Sequence, residues 1–172
     1  MRQLTELTDE QLNVLAELVS DKVVKKQKIE KKRKGSLMYH NTKLLLVNYH
    51  QLKKHCEIVN EQVTEQLGSL WSDWRFDLDT LLEHKAKTAK LMVHVDKALK
   101  KYQDDCRKAV TTEESKRFQI LQLRYINQPR MSQFDTAVEL RMNRKTIARH
   151  EEAAIHTLSV YMYGYEYLEK WT

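Results

Sequence analysis

Apolar residues recur along most of this chain at steps of three and four, the pattern of one helix face. Leu12, Leu15, Leu18, Val19 and Val23 open it, and Ile29 extends it. Thr8 stands just ahead with Gln11 three residues on, a capping-box spacing that predicts a helix start at Thr8. Gly35-Ser36 interrupts the stripe and predicts its end. Over residues 37–67, Leu44, Leu45, Val47, Leu52, Ile58, Val59, Val63 and Leu67 predict a second long helix, closed by Gly68-Ser69. A third spans 70–109 through Leu70, Trp71, Trp74, Leu78, Leu81, Leu82, Leu91, Met92, Val95, Leu99 and Tyr102. Two long helices joined by a short break pack antiparallel, or pair with another copy of the chain. Trp71 and Trp74 share a face and read as core or helix–helix interface. Their other use, a base-stacking platform, lacks the strand context usual for it.

Beyond this point the elements shorten. Thr111-Thr112-Glu113-Glu114-Ser115 is a compositional hinge, and Thr111 with Glu114 repeats the capping-box spacing. The boundary between a helical region 1–110 and a second domain 111–172 falls here. A helix from about Glu113 to Ile126 offers Phe118, Ile120, Leu121, Leu123, Tyr125 and Ile126 for packing. Asn127-Gln128-Pro129-Arg130 ends it, because Pro cannot continue the hydrogen-bond ladder. Ser132 caps the next helix, with Asp135 favoured in its first turn. Ala137 and Leu140 face inward. Arg141-Met142-Asn143 is a turn in which Met142 plugs the space between helices and Asn143 caps a third helix. Ile147, Ala154, Ile155 and Leu158 bury one face of that helix, which leaves Arg144, Lys145, Ala148, Arg149 and Glu152 outward.

This order of elements is that of a helix-turn-helix, the module that lays its second helix in the DNA major groove. Arg144 and Lys145 sit in the first turn, where such a helix meets base edges. Arg pairs with guanine O6 and N7 bidentately, worth about 1–3 kcal/mol of discrimination. Ala148 keeps the face slim enough to touch a thymine methyl. Arg149 reaches a base or a phosphate, and Asn143 is placed to meet a phosphate while capping. Arg130 and Ser132, at the start of the preceding helix, join the candidate DNA-binding set. The competing account is a helical hairpin with a basic solvated face.

The segment 121–126 (LQLRYI), followed by Ala137, Leu140, Met142-Asn143-Arg144, Thr146-Ile147 and Arg149, resembles the region-4 module of bacterial sigma factors. It is similar also to the ArpU and RinA group of phage late-gene transcription regulators. The resemblance covers 113–165. The segment His40 to Lys53 looks like the N-terminal half of ArpU-type proteins. It implies a DNA-binding activator of a phage late operon, with Asn143, Arg144, Lys145 and Arg149 carrying recognition. Arg141 departs from the family pattern, standing where the turn often has Gly; a position needing φ > 0 would be strained there. His150 departs too, at a semi-buried position usually apolar, and reads as a neutral, hydrogen-bonded histidine rather than a pH sensor.

Composition agrees with helices. Three Gly and one Pro in 172 residues are too few for the turns of an all-β fold. The fold class expected is all-α. The net charge is +6, and residues 22–34 alone carry +7. Lys31, Lys32, Arg33 and Lys34 end that segment. It is either a solvated helix end or flexible tether, or a phosphate-contacting arm that adds salt-dependent affinity without sequence information. No apolar run is long enough to span a membrane, and the N-terminal residues lack a signal peptide's apolar core. Cys56 and Cys106, without an export signal, are expected reduced in the cytoplasm of a bacterial host cell, where a regulator would associate with the nucleoid. No C-x-x-C, H-E-x-x-H or Gly-rich phosphate loop occurs; Asp77 and Asp79 point apart on a helix. No metal, cofactor or enzymatic chemistry is expected. The aromatic tail, Tyr161 to Trp171, continues the third helix or leaves it at Gly164. It either packs on the N-terminal helices or docks a second subunit or RNA polymerase. The expected partners are double-stranded DNA, RNA polymerase and a second copy of the chain. The alternative function is a protein-binding adaptor or inhibitor that keeps the helix-turn-helix as scaffold.

Overall fold

A computed structural model of the protein describes residues 9–56, 75, 77–83, 85–109 and 112–171. Among them every regular element is helical: α1 (Asp9–Val47), α2 (Tyr49–Cys56), α3 (Leu78–Glu83), α4 (Lys85–Lys108), α5 (Thr112–Leu121), a π turn (Gln122–Ile126), α6 (Gln133–Glu139), α7 (Arg144–Tyr163) and α8 (Tyr165–Trp171). The all-α expectation is met. No helix is long and apolar enough to cross a membrane among the described residues. The proposed caps at Thr8 and Thr111, the Gly68-Ser69 break and the Trp71–Trp74 pair lie outside the described residues.

Three predicted boundaries are corrected. Gly35-Ser36 does not break a helix: α1 runs through it to Val47. A helical glycine costs only about 1 kcal/mol. Gly35 is buried, and Met38, Leu45 and Leu46 follow it fully into the core, which outweighs that cost. The helix expected over 37–67 is interrupted at Asn48. There the Asn48 side-chain amide donates to the Leu44 carbonyl (2.9 Å), the same oxygen its backbone N–H uses (3.1 Å). The helix expected over 70–109 is two. Thr88 Oγ1 donates to the Leu81 carbonyl (2.5 Å) across seven residues, a reach no single α-helix allows.

One core joins the chain's two halves. Leu45, Leu46 and Leu52 from α1 and α2 meet Leu91, Met92, Val95, Leu99 and Tyr102 of α4. Phe118, Leu121 and Tyr125 add a third layer, and Ala154, Ile155, Leu158 and Met162 of α7 close it. Polar ties fix the helices' register. Tyr49 Oη donates to Asp96 (2.7 Å), as does Lys53 Nζ (2.5 Å). Ser159 Oγ donates to Thr42 Oγ1 (2.8 Å), both fully buried, and Tyr39 packs at a tilt against His156 with ring centroids 4.6 Å apart. These two contacts advance together, 39 with 156 and 42 with 159, so α1 and α7 run parallel.

α7 ends at Gly164, whose φ of 64° and ψ of −144° suit only glycine. The tail therefore leaves the third helix there. It folds back as α8, burying Tyr167 beside His156, and it packs on α1. Tyr161 stacks on Tyr102 at 5.3 Å and donates to Asp105 (2.9 Å), so the front of the tail belongs to the core.

Candidate nucleic-acid interface

The candidate surface is the start of α7, and the residues around it explain why it is rigid. Ser132 caps α6 through a reciprocal box. Its hydroxyl accepts from the Asp135 N–H (3.1 Å), and its own N–H donates to the Asp135 carboxylate (3.2 Å). The same hydroxyl donates to that carboxylate (2.6 Å), so the Ser132 side chain is committed to the cap. At the other end of α6, Arg141 N–H bonds the Val138 carbonyl (3.1 Å) and Met142 N–H bonds the Ala137 carbonyl (2.9 Å). Together they form a Schellman motif, with Arg141 at the left-handed position (φ 52°). The apolar contact that accompanies this motif is present: Met142 packs with Ala137, Leu140, Ile120 and Ile147 in a small core of its own. Asn143 then caps α7, its Oδ1 accepting from the Thr146 N–H (2.7 Å).

This frame presents one face of α7 outward. Arg144, Lys145, Ala148, Arg149 and Glu152 are all exposed, whereas Ile147, Ala154, Ile155 and Leu158 are buried. The division expected from the sequence is thus the one found.

The arginines that precede α6 and those on α7 differ in what they touch. Arg117 is bonded to Glu113 (2.7 Å) and Glu114. Arg124 donates to Glu151 (3.2 Å) and to the Met131 carbonyl (3.2 Å), and Tyr125 donates to the same Glu151 carboxylate. Arg130 reaches back to the Val47 carbonyl (2.6 Å), closing the last turn of α1. That contact and the Ser132 cap give structural partners to two of the residues expected to meet DNA. Among the described residues no ion pair engages Arg144, Lys145 or Arg149. Glu113, Glu114 and Glu151 are engaged by Arg117 and Arg124, and the outward face, Glu152 included, keeps a net positive charge.

Lys31, Lys32, Arg33 and Lys34 lie on α1 itself, not on a tether. The first three are exposed and Lys34 is partly covered. Because α1 and α7 are parallel, stepping back along both from Tyr39 and His156 brings 31–34 level with 148–151. The two basic clusters therefore lie toward the same end of the molecule.

His150 is buried at the base of the face, and its pKa is lowered. Burial is the main cause, with the charges of Arg117 and Arg149 adding to it. Among the described residues no group of three His, Cys, Asp or Glu converges as a metal site. The chain matches no protein-family model, no curated protein and no solved structure.

Proposed function

We propose that the protein is a sequence-specific double-stranded-DNA-binding regulator whose α7 enters the major groove. The observation that carries this reading is the split among the arginines. Those that pack are tied to acceptors, while Arg144, Lys145 and Arg149 stand exposed and unneutralised on the first two turns of a doubly capped helix. A helix capped this firmly loses little backbone freedom on binding, so more of the contact energy appears as affinity. α6 and the Schellman turn then serve as the supporting half of a helix-turn-helix. Arg144 and Lys145 read base edges, Ala148 admits close approach, and Arg149 meets a base or a phosphate. The basic stretch of α1 supplies phosphate contacts at the same end, and Asn143 keeps its amide N–H groups for a phosphate. The resemblance of 113–165 to sigma region 4 and to ArpU- and RinA-type regulators supports a role in activating phage late genes. RNA polymerase is the partner that role implies.

A second reading has one observation of its own. Phe134 and Val138, four apart on α6, are 62 % and 63 % exposed, an apolar pair suited to docking another protein. One experiment separates the two. Fragments of genomic DNA are recovered on the purified protein and on an Arg144→Ala, Lys145→Ala, Arg149→Ala variant at near-physiological salt. A regulator yields a discrete site near a promoter that the variant loses. Uniform, weak recovery by both proteins would sink the DNA reading in favour of the adaptor.

A further inference from the structure

The N-terminal part of α1 is exposed along its length, and none of its apolar residues is buried by the other described helices. Every residue from Gln11 to Arg33 is exposed, yet Leu12, Leu15, Leu18, Val19 and Val23 stand 46–56 % exposed on one broad arc. Val14, Val24 and Ile29 add three β-branched residues, which are weak helix formers. A helix of this composition does not hold itself in water; amphipathic helices are held by what covers the apolar face.

Charge identifies the cover. Residues 9–21 carry four acidic and no basic side chains, net −4, while 22–34 carry +7. We propose that two copies of the chain pair through this segment, antiparallel. An axis close to Leu18–Val19 lays the apolar stretch 12–24 of one copy on that of the other. Glu10 of each copy then lies beside Lys26 and Lys28 of the other. Parallel pairing would stack like charge on like. Glu10, Glu17 and Asp21 sit on the arc away from the leucines. They act across the flanks of the pair at about the 8 Å screening length, so they set orientation while the apolar arc supplies affinity. Among the described residues the overlap ends where residue 9 lies level with Lys28, short of 31–34. At 1.5 Å per residue the points where the two helices enter their bodies, near Gly35, stand roughly 50 Å apart. A regulator built this way would span two well-separated half-sites rather than adjacent ones. The pairing itself does not depend on DNA binding.

The test uses the full chain without DNA, with Cys56→Ser to remove the accessible thiol. Sedimentation equilibrium should give twice the 20.6 kDa chain mass at low micromolar concentration. Leu15→Glu with Val19→Glu, both at exposed positions, should weaken association about a hundredfold or more while α4–α8 keep their helicity. Val19→Cys should cross-link the dimer through a disulfide and Leu12→Cys should not. A monomer, a dimer indifferent to the Glu substitutions, or ready cross-linking through Leu12→Cys would each overturn the proposal. A monomeric wild type whose DNA affinity falls with Leu15→Glu would instead make the nucleic acid the occupant of α1.

Discussion

Arg141 is the residue at which the backbone of the module holds most strain. Its φ of 52° is set by the Schellman motif, and a side chain there pays a left-handed penalty that glycine avoids. Arg141→Gly should stabilise the protein by about 0.5–1 kcal/mol, read as a melting temperature higher by about 1–4 °C. A loss of stability would mean that the Arg141 side chain makes a favourable contact outweighing the strain. The position was legible from sequence because the turn chemistry is local: a small residue at 137, an apolar plug at 142 and a capping Asn at 143. The Ser132 cap was legible for the same reason, but its second bond to Asp135 and the role of Arg130 were not. Their acceptors, Asp135 and above all Val47, depend on a hydrogen-bond choice and on a contact 83 residues away.

Histidines carry the pH response at the same scale. Burial lowers the pKa of both His150 and His156. The nearby Arg117 and Arg149 reinforce it for the first, and Glu152 opposes it for the second. A histidine depressed below its ordinary value near 6.5 binds protons more readily when unfolded. Their contribution is therefore complete above pH 6.5 and is lost as the pH falls through the folded-state values. Urea unfolding at pH 7.5 and 5.5 should show the wild type weaker at the lower pH. The double variant His150→Gln, His156→Gln should show a smaller difference; an equal one would refute the assignment.

At the scale of elements, the clamp between the π turn and α7 has the greatest leverage. Glu151 is only 12 % exposed and accepts from Arg124 and Tyr125 together. Glu151→Ala leaves a guanidinium and a phenol without that acceptor in a poorly solvated place. It should cost about 2–3 kcal/mol, or about 5–10 °C. A change under 2 °C would show that water replaces the carboxylate readily. Helix boundaries were the least legible features at this scale. Gly35 reads as a stop, and only the burial of Met38, Leu45 and Leu46 beyond it shows why the helix continues. Asn48 and Thr88 read as ordinary helical positions; the bond from Thr88 to Leu81 reveals the break before α4, and the interruption at Asn48 has no sequence signal.

At the scale of the molecule, the core joins residues on both sides of 111, so α7 is braced by α1, α4 and α5 at once. Periodicity names the residues of such a core but not which stripes meet. The parallel run of α1 beside α7, which brings two basic clusters toward one end, has no signature in the sequence. The two buried hydroxyls that record it, Thr42 and Ser159, lie 117 residues apart.

The central claim is that the outward face at the start of α7 meets DNA. Amide chemical shifts of isotopically labelled protein, followed as a duplex is added, test it most directly. The account predicts saturable shifts concentrated at 143–149, with a second, salt-sensitive set at 31–34. Shifts confined to α1, or none within α7 while the duplex binds, would contradict it.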